Sequence, residues 1–330
     1  MGQASTIGLD LAKHIFQAHG ADASGRVVFR KRLTRAKVVR FFAAQPPCVV
    51  AMEACAGAHY WARTLSELGH TMRLIPPAYV KPYVKRQKSD MADAEAICEA
   101  ATRPSMRFVP VKSEAQQANG VVFRARDLLV RQRTQCLNAL RGHLSEYGYV
   151  VAQGITHADA VIAHIEDPDT SVPASARSVL AVLVGTYKAL AAQIEALDAE
   201  ITRRAKADPV ARRLLTIPGV GPIAATAITA LVPAPEGFRA GRDFAAWLGL
   251  TPLQKSSGGK QKLGAVSKQG ERTIRRLLIL GASAVVRWAA QRGAQPGSWL
   301  ARMLARKPRM LVTVALANTG SHRARAMGSR

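Results

Sequence analysis

The amino-acid sequence predicts an α/β sheet domain followed by a mostly helical region, and three patterns support this expectation. Residues 5–110 alternate short apolar runs with helical patterns, which is typical of α/β domains. Two long stretches further along carry apolar residues at helical spacing, and the last part is punctuated by glycine and proline. We therefore expect a sheet domain over residues 1–110, a helical coiled-coil region over 111–206 and a helical domain over 207–330.

The first region contains three runs that resemble successive strands, STIGLDL, HIFQAHG and RVVFRKR. A helix is expected from about Arg35 to Ala44, and the apolar run CVVAME follows it. A second helix near His59 to Leu68 precedes HTMRLIPP. Strands that alternate with short helices in this way favour a layered sheet domain.

The middle region predicts two long helices, from Glu114 to about Tyr147 and from Ala174 to Ala205. Their apolar stripes would allow them to pair as an antiparallel coiled coil. Such a pair could be a dimerisation arm, and packing within one chain explains the same stripes equally well.

The charge balance favours a polyanionic partner. Lys and Arg number 47 against 22 Asp and Glu, which gives a formal charge of +25 over 330 residues. Nucleic acid is the leading candidate, and a basic surface that only maintains solubility is the alternative. The strongest bias lies between Gln254 and Met310, where thirteen Lys or Arg face one acid, Glu271.

No membrane partner or structural zinc is expected. The N-terminus lacks a basic start followed by a long apolar core, and no uninterrupted apolar run reaches the ~20 residues that span a bilayer, so we expect a cytoplasmic, nucleoid-associated bacterial protein. The cysteines form no CxxC pair and are expected to be small core residues. They are Cys48, Cys55, Cys98 and Cys136.

Four acids are candidates for a metal site. Asp10 ends the apolar run TIGLD, Glu53 ends VVAME, and Asp90 and Asp93 stand three apart in KSDMADAEAI. On a helix that spacing places both aspartates on one face. Converging carboxylates repel one another unless cations compensate them, and ligands that are all oxygen favour Mg²⁺ or Mn²⁺.

Each acid also has a simpler interpretation. Asp90 could cap a helix and Asp93 could lie in its first turn, where negative charge is favourable. Glu53 is harder to explain in this way, because a carboxylate directly after an apolar strand needs a partner.

The segment LLTIPGVGPIAATAITAL has the form of a helix-hairpin-helix. Gly219 and Gly221 would allow a tight turn whose backbone N–H groups approach a phosphate. An ordinary helical packing unit is the equal alternative.

A basic loop follows in the segment KSSGGKQKLGAVSKQGERTIRR. Ser256 and Ser257 precede two glycines, and a serine there would be sterically free in a field that attracts phosphate; a merely flexible loop has the same composition. The residues expected to hold backbone phosphates are Lys255, Lys260, Lys262, Lys268, Arg272, Arg275 and Arg276.

The order of these motifs resembles the DEDD insertion-sequence transposases, the Piv-like group that includes bridge-RNA-guided recombinases. Within the IS one-ten family the sequence is similar to the IS eleven-eleven subgroup. The resemblance rests on IGLDLAKHIFQAHG, the block from MEACAG to DAEAI, IPGVGPIAATAI, and the segment from FAAWLGLTP to RRLL, and it spans residues 5 to about 316. The one departure is the polar, basic ending TGSHRARAMGSR, where the family pattern suggests a further apolar helix.

The resemblance implies a RuvC-like domain of ribonuclease-H fold, whose Asp-Glu-Asp-Asp set matches Asp10, Glu53, Asp90 and Asp93. It implies Mg²⁺ on these carboxylates and a nucleophilic serine that falls on Ser257, with Ser256 as the adjacent ambiguity. The serine would form a covalent phosphoserine link to DNA before strand exchange.

The resemblance further implies a homo-oligomer, a dimer that assembles to a tetramer, in which one protomer supplies the carboxylates and another the serine. A guide RNA would pair with donor and target DNA. Two other functions use the same features: a metal-dependent nuclease that resolves branched DNA by water attack, and a non-catalytic nucleic-acid binder derived from a transposase.

Overall fold

The structure is a computed structural model that describes residues 3–85, 89–232 and 237–328. Packing divides the chain into two compact units, Met1–Glu114 and Ala115–Arg330. The first unit holds the sheet and the second is mainly helical, which confirms the expected sheet domain and helical C-terminal region. The boundary expected near residue 206 falls inside the second unit. Residues 86–88 of the block quoted above lie outside the described residues.

A five-stranded sheet in the order β3-β2-β1-β4-β5 forms the centre of the first unit. β2 runs antiparallel to β1 and β3, whereas β1, β4 and β5 are parallel. The runs STIGLDL, HIFQAHG and RVVFRKR are strands, as predicted. The strands are β1 (Thr6–Asp10), β2 (Ile15–Ala21), β3 (Val27–Thr34), β4 (Val49–Glu53) and β5 (Thr71–Ile75).

Helices cover both faces of this sheet. They are α1 (Val38–Ala43), α2 (Ala58–Glu67), α3 (Pro77–Val80) and α4 (Asp90–Ala101). Ile7 and Leu9 of β1 belong to the core that contains Phe42 and Trp61 of α1 and α2. Since side chains alternate along a strand, Gly8 and Asp10 lie on the opposite face. On that face Ala51 of β4 shares a core with α4.

Two long helices begin the second region, α5 (Glu114–Ser145) and α7 (Ala174–Ala207), with α6 (Ala158–Glu166) between them. They lie antiparallel, because Arg126 pairs with Asp198 while Cys136 contacts the Leu183 carbonyl. Among the described residues, α7 is the one helix whose length and hydropathy would suit a membrane span. Its Leu180 and Ile201 belong to protein cores.

The rest of the second unit is built around one apolar core that includes Phe244, Leu248, Ile274 and Leu278. Helices supply most of this core, and the described residues of a small hairpin lie outside it. With α7, the elements are α8 (Pro209–Leu214), α9 (Pro222–Leu231), α10 (Gly241–Trp247), β6 (Pro252–Gln254), β7 (Leu263–Val266), α11 (Arg272–Arg292), α12 (Trp299–Arg306) and α13 (Arg309–Gly328).

The polar C-terminal ending is part of α13 and packs into this unit. Ser321 is fully buried, and a Cβ atom on Gly241 would come within 2.8 Å of the His322 side chain. Arg325 donates hydrogen bonds of 3.1 and 2.6 Å to the Phe238 carbonyl. A helix therefore continues through the ending, and it uses small side chains and an arginine in place of a wide apolar stripe.

Candidate functional site

The first half of the candidate site is the edge of the sheet where β1 and β4 end. The two strands are parallel neighbours, with Thr6 opposite Val49 and Gly8 opposite Ala51. The same offset, continued to the strand ends, places Asp10 beside Glu53. Both side chains are half-buried. Sequence reasoning found this pair because each acid ends an apolar strand.

The N-terminus of α4 lies over the same edge because Gly8 has no side chain. A Cβ atom at Gly8 would lie 2.2 Å from the Ala94 carbonyl oxygen and 2.6 Å from the Cys98 amide nitrogen. The backbone of α4 is therefore in direct contact with β1, two residues before Asp10. Asp93 immediately precedes Ala94. The role of Gly8 was not evident from the sequence, where only its position in a strand could have indicated close backbone approach.

Asp90 and Asp93 both lie in the first turn of α4. The helix is capped by Ser89, whose hydroxyl accepts a hydrogen bond of 3.3 Å from the Ala92 amide. Asp90 is therefore not the cap that the simpler interpretation made it. Two acids at a helix N-terminus stabilise the helix by themselves. Here their charges also act on a third carboxylate, that of Asp10.

The electrostatics of Asp10 show that the four acids interact. Burial, and then the charges of Asp93, Asp90 and Glu53, together raise the pKa of Asp10 to about 6. Within the described ranges, no three Asp, Glu, His or Cys side chains are close enough to form a ready-made metal centre. The four carboxylates thus interact electrostatically, but their side chains are not gathered as closely as the ligands of a bound metal ion.

This arrangement fits a hard divalent cation. Neighbouring acids that raise the pKa of Asp10 constitute a concentration of negative charge that a cation would relieve. All four donors are carboxylate oxygens, which suit Mg²⁺ or Mn²⁺. Asp10, Glu53, Asp90 and Asp93 are the residues that would hold it.

One cysteine lies at this edge, contrary to the expectation that all four are core residues. Cys55 is exposed, two residues after Glu53. Although the residue is exposed, partial desolvation of its sulfur, and then the charges of Glu53 and Asp10, raise the pKa of the Cys55 thiol. The turn between β4 and α2 carries it to the surface, and the sequence shows only that it follows a strand end.

The second half of the candidate site is the hairpin formed by β6 and β7, with Pro252 opposite Val266 and Gln254 opposite Leu263. Gly258 and Gly259 at its tip have φ values of 55° and 73°, the left-handed pair that two-residue hairpin turns require. The Lys260 amide donates to the Ser257 carbonyl at 3.1 Å. The predicted loop is therefore an ordered hairpin.

The hairpin displays its basic residues to solvent. Lys255, Lys260 and Lys262 are all exposed along it, and Lys268 is exposed at its base with a φ of 55°. No ion pair involves these four lysines in the described part of the chain. Arg272 is likewise exposed at the start of α11.

Arg275 has a structural role, so its expected contact with phosphate is corrected. Its side chain is buried and donates hydrogen bonds to the carbonyls of Leu248, at 2.8 Å, and Gln269. These two residues flank the hairpin, so the guanidinium closes its base. Arg276 differs again, because it forms a 2.5 Å ion pair with Asp127 of α5 at the protein surface.

Gly219 lies in a closely packed turn. It has a φ of 84°, and a Cβ atom there would lie 2.8 Å from the backbone of Gly281 on α11. The turn between α8 and α9 therefore packs against α11 at Gly219. Gly221 is exposed, with open space where its Cβ would be. Of the two glycines, Gly221 is the more exposed.

An acidic sheet edge in one unit and a basic, serine-bearing hairpin in the other are typical of proteins that process nucleic acid. Comparison with known families agrees. Residues 211–296 match the family described as Transposase IS116/IS110/IS902 family, and residues 7–149 match the DEDD transposase domain of IS110 elements.

The similar proteins are transposases as well. A probable family 20 transposase of Pseudomonas aeruginosa is 48% identical over 99% of this chain and 97% of its own length. The transposase for insertion sequence element IS1328 of Yersinia enterocolitica is 39% identical, over 96% and 95% of the two chains. That for IS1111A of Coxiella burnetii is 38% identical, over 94% and 86%. The chain belongs to the IS110 family of insertion-sequence transposases.

Gly8→Ala tests the contact between α4 and β1. Because backbone atoms of α4 cannot yield as a flexible side chain would, we expect a loss of roughly 2 kcal/mol or more in the free energy of unfolding. Urea unfolding measures it. Gly142→Ala, on α5 where nothing lies within 4 Å of the added Cβ, is the control and should not destabilise the protein. Equal stability of the two variants would contradict the close approach.

The ionisation of Asp10 predicts a dependence of stability on pH in metal-free protein. Between 3.8 and about 6 the folded state holds a proton on Asp10 that the unfolded chain has released, so Asp10 makes stability fall as pH rises. Asp10→Asn removes this fall. We expect the variant to exceed the wild type by about 1 to 3 kcal/mol at pH 7.5 in EDTA, with the difference vanishing near pH 4. Urea unfolding at both pH values measures it, and an equal difference at both would refute the assignment.

Arg275→Ala should destabilise the second unit more than Arg276→Ala. The first leaves two carbonyls without their donor, at about 1 to 3 kcal/mol, whereas loss of a surface ion pair costs below about 1 kcal/mol. Thermal unfolding of the two variants measures the difference. A larger loss of stability in Arg276→Ala than in Arg275→Ala would contradict the structural role of Arg275 and return it to the residues expected to contact phosphate.

Proposed function

We propose that the chain is an RNA-guided DNA recombinase in which the four carboxylates hold Mg²⁺ and Ser257 attacks a phosphodiester of the DNA. The single observation that carries the proposal is the electrostatic coupling of Asp10 to the other three acids. A sheet edge that holds this much negative charge is disfavoured unless it binds cations. The strand order β3-β2-β1-β4-β5 supports the RuvC-like, ribonuclease-H assignment of the unit that carries it.

The chemistry divides between the two units. Asp10, Glu53, Asp90 and Asp93 would hold Mg²⁺, which when bound polarises the phosphate and stabilises its developing charge. Lys255, Lys260 and Lys262 place positive charge around the hairpin tip, where a phosphate would lie. Gly221 offers an exposed backbone position for a further phosphate.

The covalent step belongs to Ser257. Its hydroxyl makes no hydrogen bond within the described residues, so its oxygen is available. That oxygen forms a bond to phosphorus while the bond from phosphorus to one sugar oxygen breaks. The proton leaves the serine hydroxyl, and the departing sugar oxygen takes one up. The serine ester keeps the energy of the broken bond for rejoining to a second strand.

Guidance by RNA and assembly of several copies complete the proposal. The charge of +25 suits a complex that contains RNA as well as donor and target DNA. The paired helices α5 and α7 leave Val121, Leu128, Val179 and Val182 between 47% and 68% exposed, which supports contact with a second copy. A dimer that assembles to a tetramer could join carboxylates and serine from different protomers.

A hydrolytic nuclease is the second candidate. The carboxylates and Ser257 belong to different compact units, and water could attack at the acidic edge without the serine. A non-catalytic binder would need neither group.

Two substitutions separate these functions. The full-length protein, with RNA transcribed from its insertion sequence, is incubated with Mg²⁺ and DNA that spans the ends of that element. Denaturing electrophoresis then detects protein-linked and cleaved DNA. We expect Ser257→Ala and Asp10→Asn each to lower adduct formation by at least about 1,000-fold. Ser267→Ala, half-buried at the base of the hairpin, is the matched control and should retain it.

The outcomes are distinct. Cleavage that survives in Ser257→Ala and is lost in Asp10→Asn would establish hydrolysis and overturn the covalent step. If Asp10→Asn gives the same DNA products as the wild type, the acids have no catalytic role and the protein is a non-catalytic binder. A metal readout is independent of activity: Mg²⁺ or Mn²⁺ should raise the unfolding temperature of the wild type at pH 7.5 and have little effect on Asp10→Asn.

A further inference from the structure

The two adjacent serines of the hairpin are in different states. The Ser256 hydroxyl donates to the Gln254 side-chain oxygen at 2.9 Å and accepts from the Lys262 amide at 3.0 Å. Its donor and one acceptor position are thus used within the hairpin. The Ser257 hydroxyl has no such partner in the described part of the chain. One residue is bonded to both strands, and the next is free.

The position of Ser256 makes these bonds mechanically important. The last backbone hydrogen bond of the ladder below the tip joins the Lys255 amide to the Lys262 carbonyl, at 2.8 Å. Above it, the Ser256 side chain occupies the place of a backbone partner for the Lys262 amide. The next cross-strand contact joins Lys260 to Ser257 itself. Ser256 therefore bridges the gap between the ladder and the turn.

We propose that Ser256 is a positioning residue, whose hydroxyl fixes the hairpin tip so that the hydroxyl of Ser257 is held in one place toward a phosphodiester. This inference rests on the proposed function of Ser257. The tip contains two glycines with left-handed backbone, which by themselves leave the chain free to move. An exposed nucleophile on such a turn needs a local restraint, since apolar packing is absent there.

The restraint affects the rate of the covalent step and not the affinity for DNA. The lysines that would attract DNA are not bonded to Ser256 through their side chains, so loss of its hydroxyl leaves their charge in place. A nucleophile that is displaced by about 1 Å can lose roughly 100-fold in rate. DNA binding and the covalent step should therefore separate in a Ser256 variant.

The test compares Ser256→Ala, Ser256→Thr, Ser257→Ala and Ser267→Ala in the full-length protein with RNA and DNA from its insertion sequence. Three quantities are measured: DNA affinity, the single-turnover rate of the protein–DNA adduct, and hydrogen exchange of the Lys262 amide. For Ser256→Ala we expect unchanged affinity, an adduct rate lower by roughly 10- to 100-fold, and Lys262 exchange faster by about tenfold. Ser256→Thr, which keeps a hydroxyl, should restore the adduct rate and the Lys262 exchange rate to wild-type values. Ser267→Ala should change neither of these rates.

The contrary results are separable. A wild-type adduct rate in Ser256→Ala overturns the inference while the proposed function stands. Loss of the adduct in Ser256→Ala with its survival in Ser257→Ala makes Ser256 the nucleophile and also overturns it. Absence of any adduct from the wild type removes the proposed function, and the inference with it, whatever Lys262 exchange shows.

Discussion

The contact of α4 with β1 at Gly8 is the constraint on which the acidic half of the molecule depends. It brings the first turn of the helix, with Asp90 and Asp93, to the strand end that carries Asp10. The alanines of α4 supply the apolar packing on that face. Burial and the repulsion among the acids work in the other direction, as the raised pKa of Asp10 shows. The fold thus holds charges together that would separate if the helix were free.

The serine hairpin is ordered in a different way from the acidic edge. Its residues have almost no apolar core to hold them, so its order comes from hydrogen bonds. Arg275 closes the base through two carbonyls, and Ser256 joins the strands near the tip. Glycines permit the close approach at the base, where a Cβ atom at Gly249 would lie 2.2 Å from the Gln269 carbonyl. An exposed segment can in this way be both accessible and fixed.

These two cases explain what the sequence could predict. The strands and the two long helices follow from apolar periodicity, and Asp10 and Glu53 stand out because acids seldom end apolar strands. Motif order identified the family. Burial of a charged side chain depends on tertiary packing, so Arg275 could not be distinguished from Arg272 in the same basic segment. The packing of Gly219 against Gly281 could not be predicted either, because the two residues lie 62 positions apart in the chain. The different surroundings of Ser256 and Ser257 could likewise not be predicted, because no local pattern reveals the hydrogen bond from the Lys262 amide to Ser256.

Under the proposed function, the distribution of charge would determine the order of events on DNA. The acidic edge would repel phosphate until a cation binds, because a phosphate adds negative charge to a site where burial and the neighbouring acids already raise the pKa of Asp10. The hairpin attracts phosphate without assistance, since its lysines have no acidic partners in the described structure. Under the proposed function, DNA would therefore be bound first by the basic hairpin, and it would reach the carboxylates only together with a cation. In that proposal Ser257 would meet the phosphate before a cation at the acidic edge could polarise it, so the covalent step would require both groups at one phosphodiester.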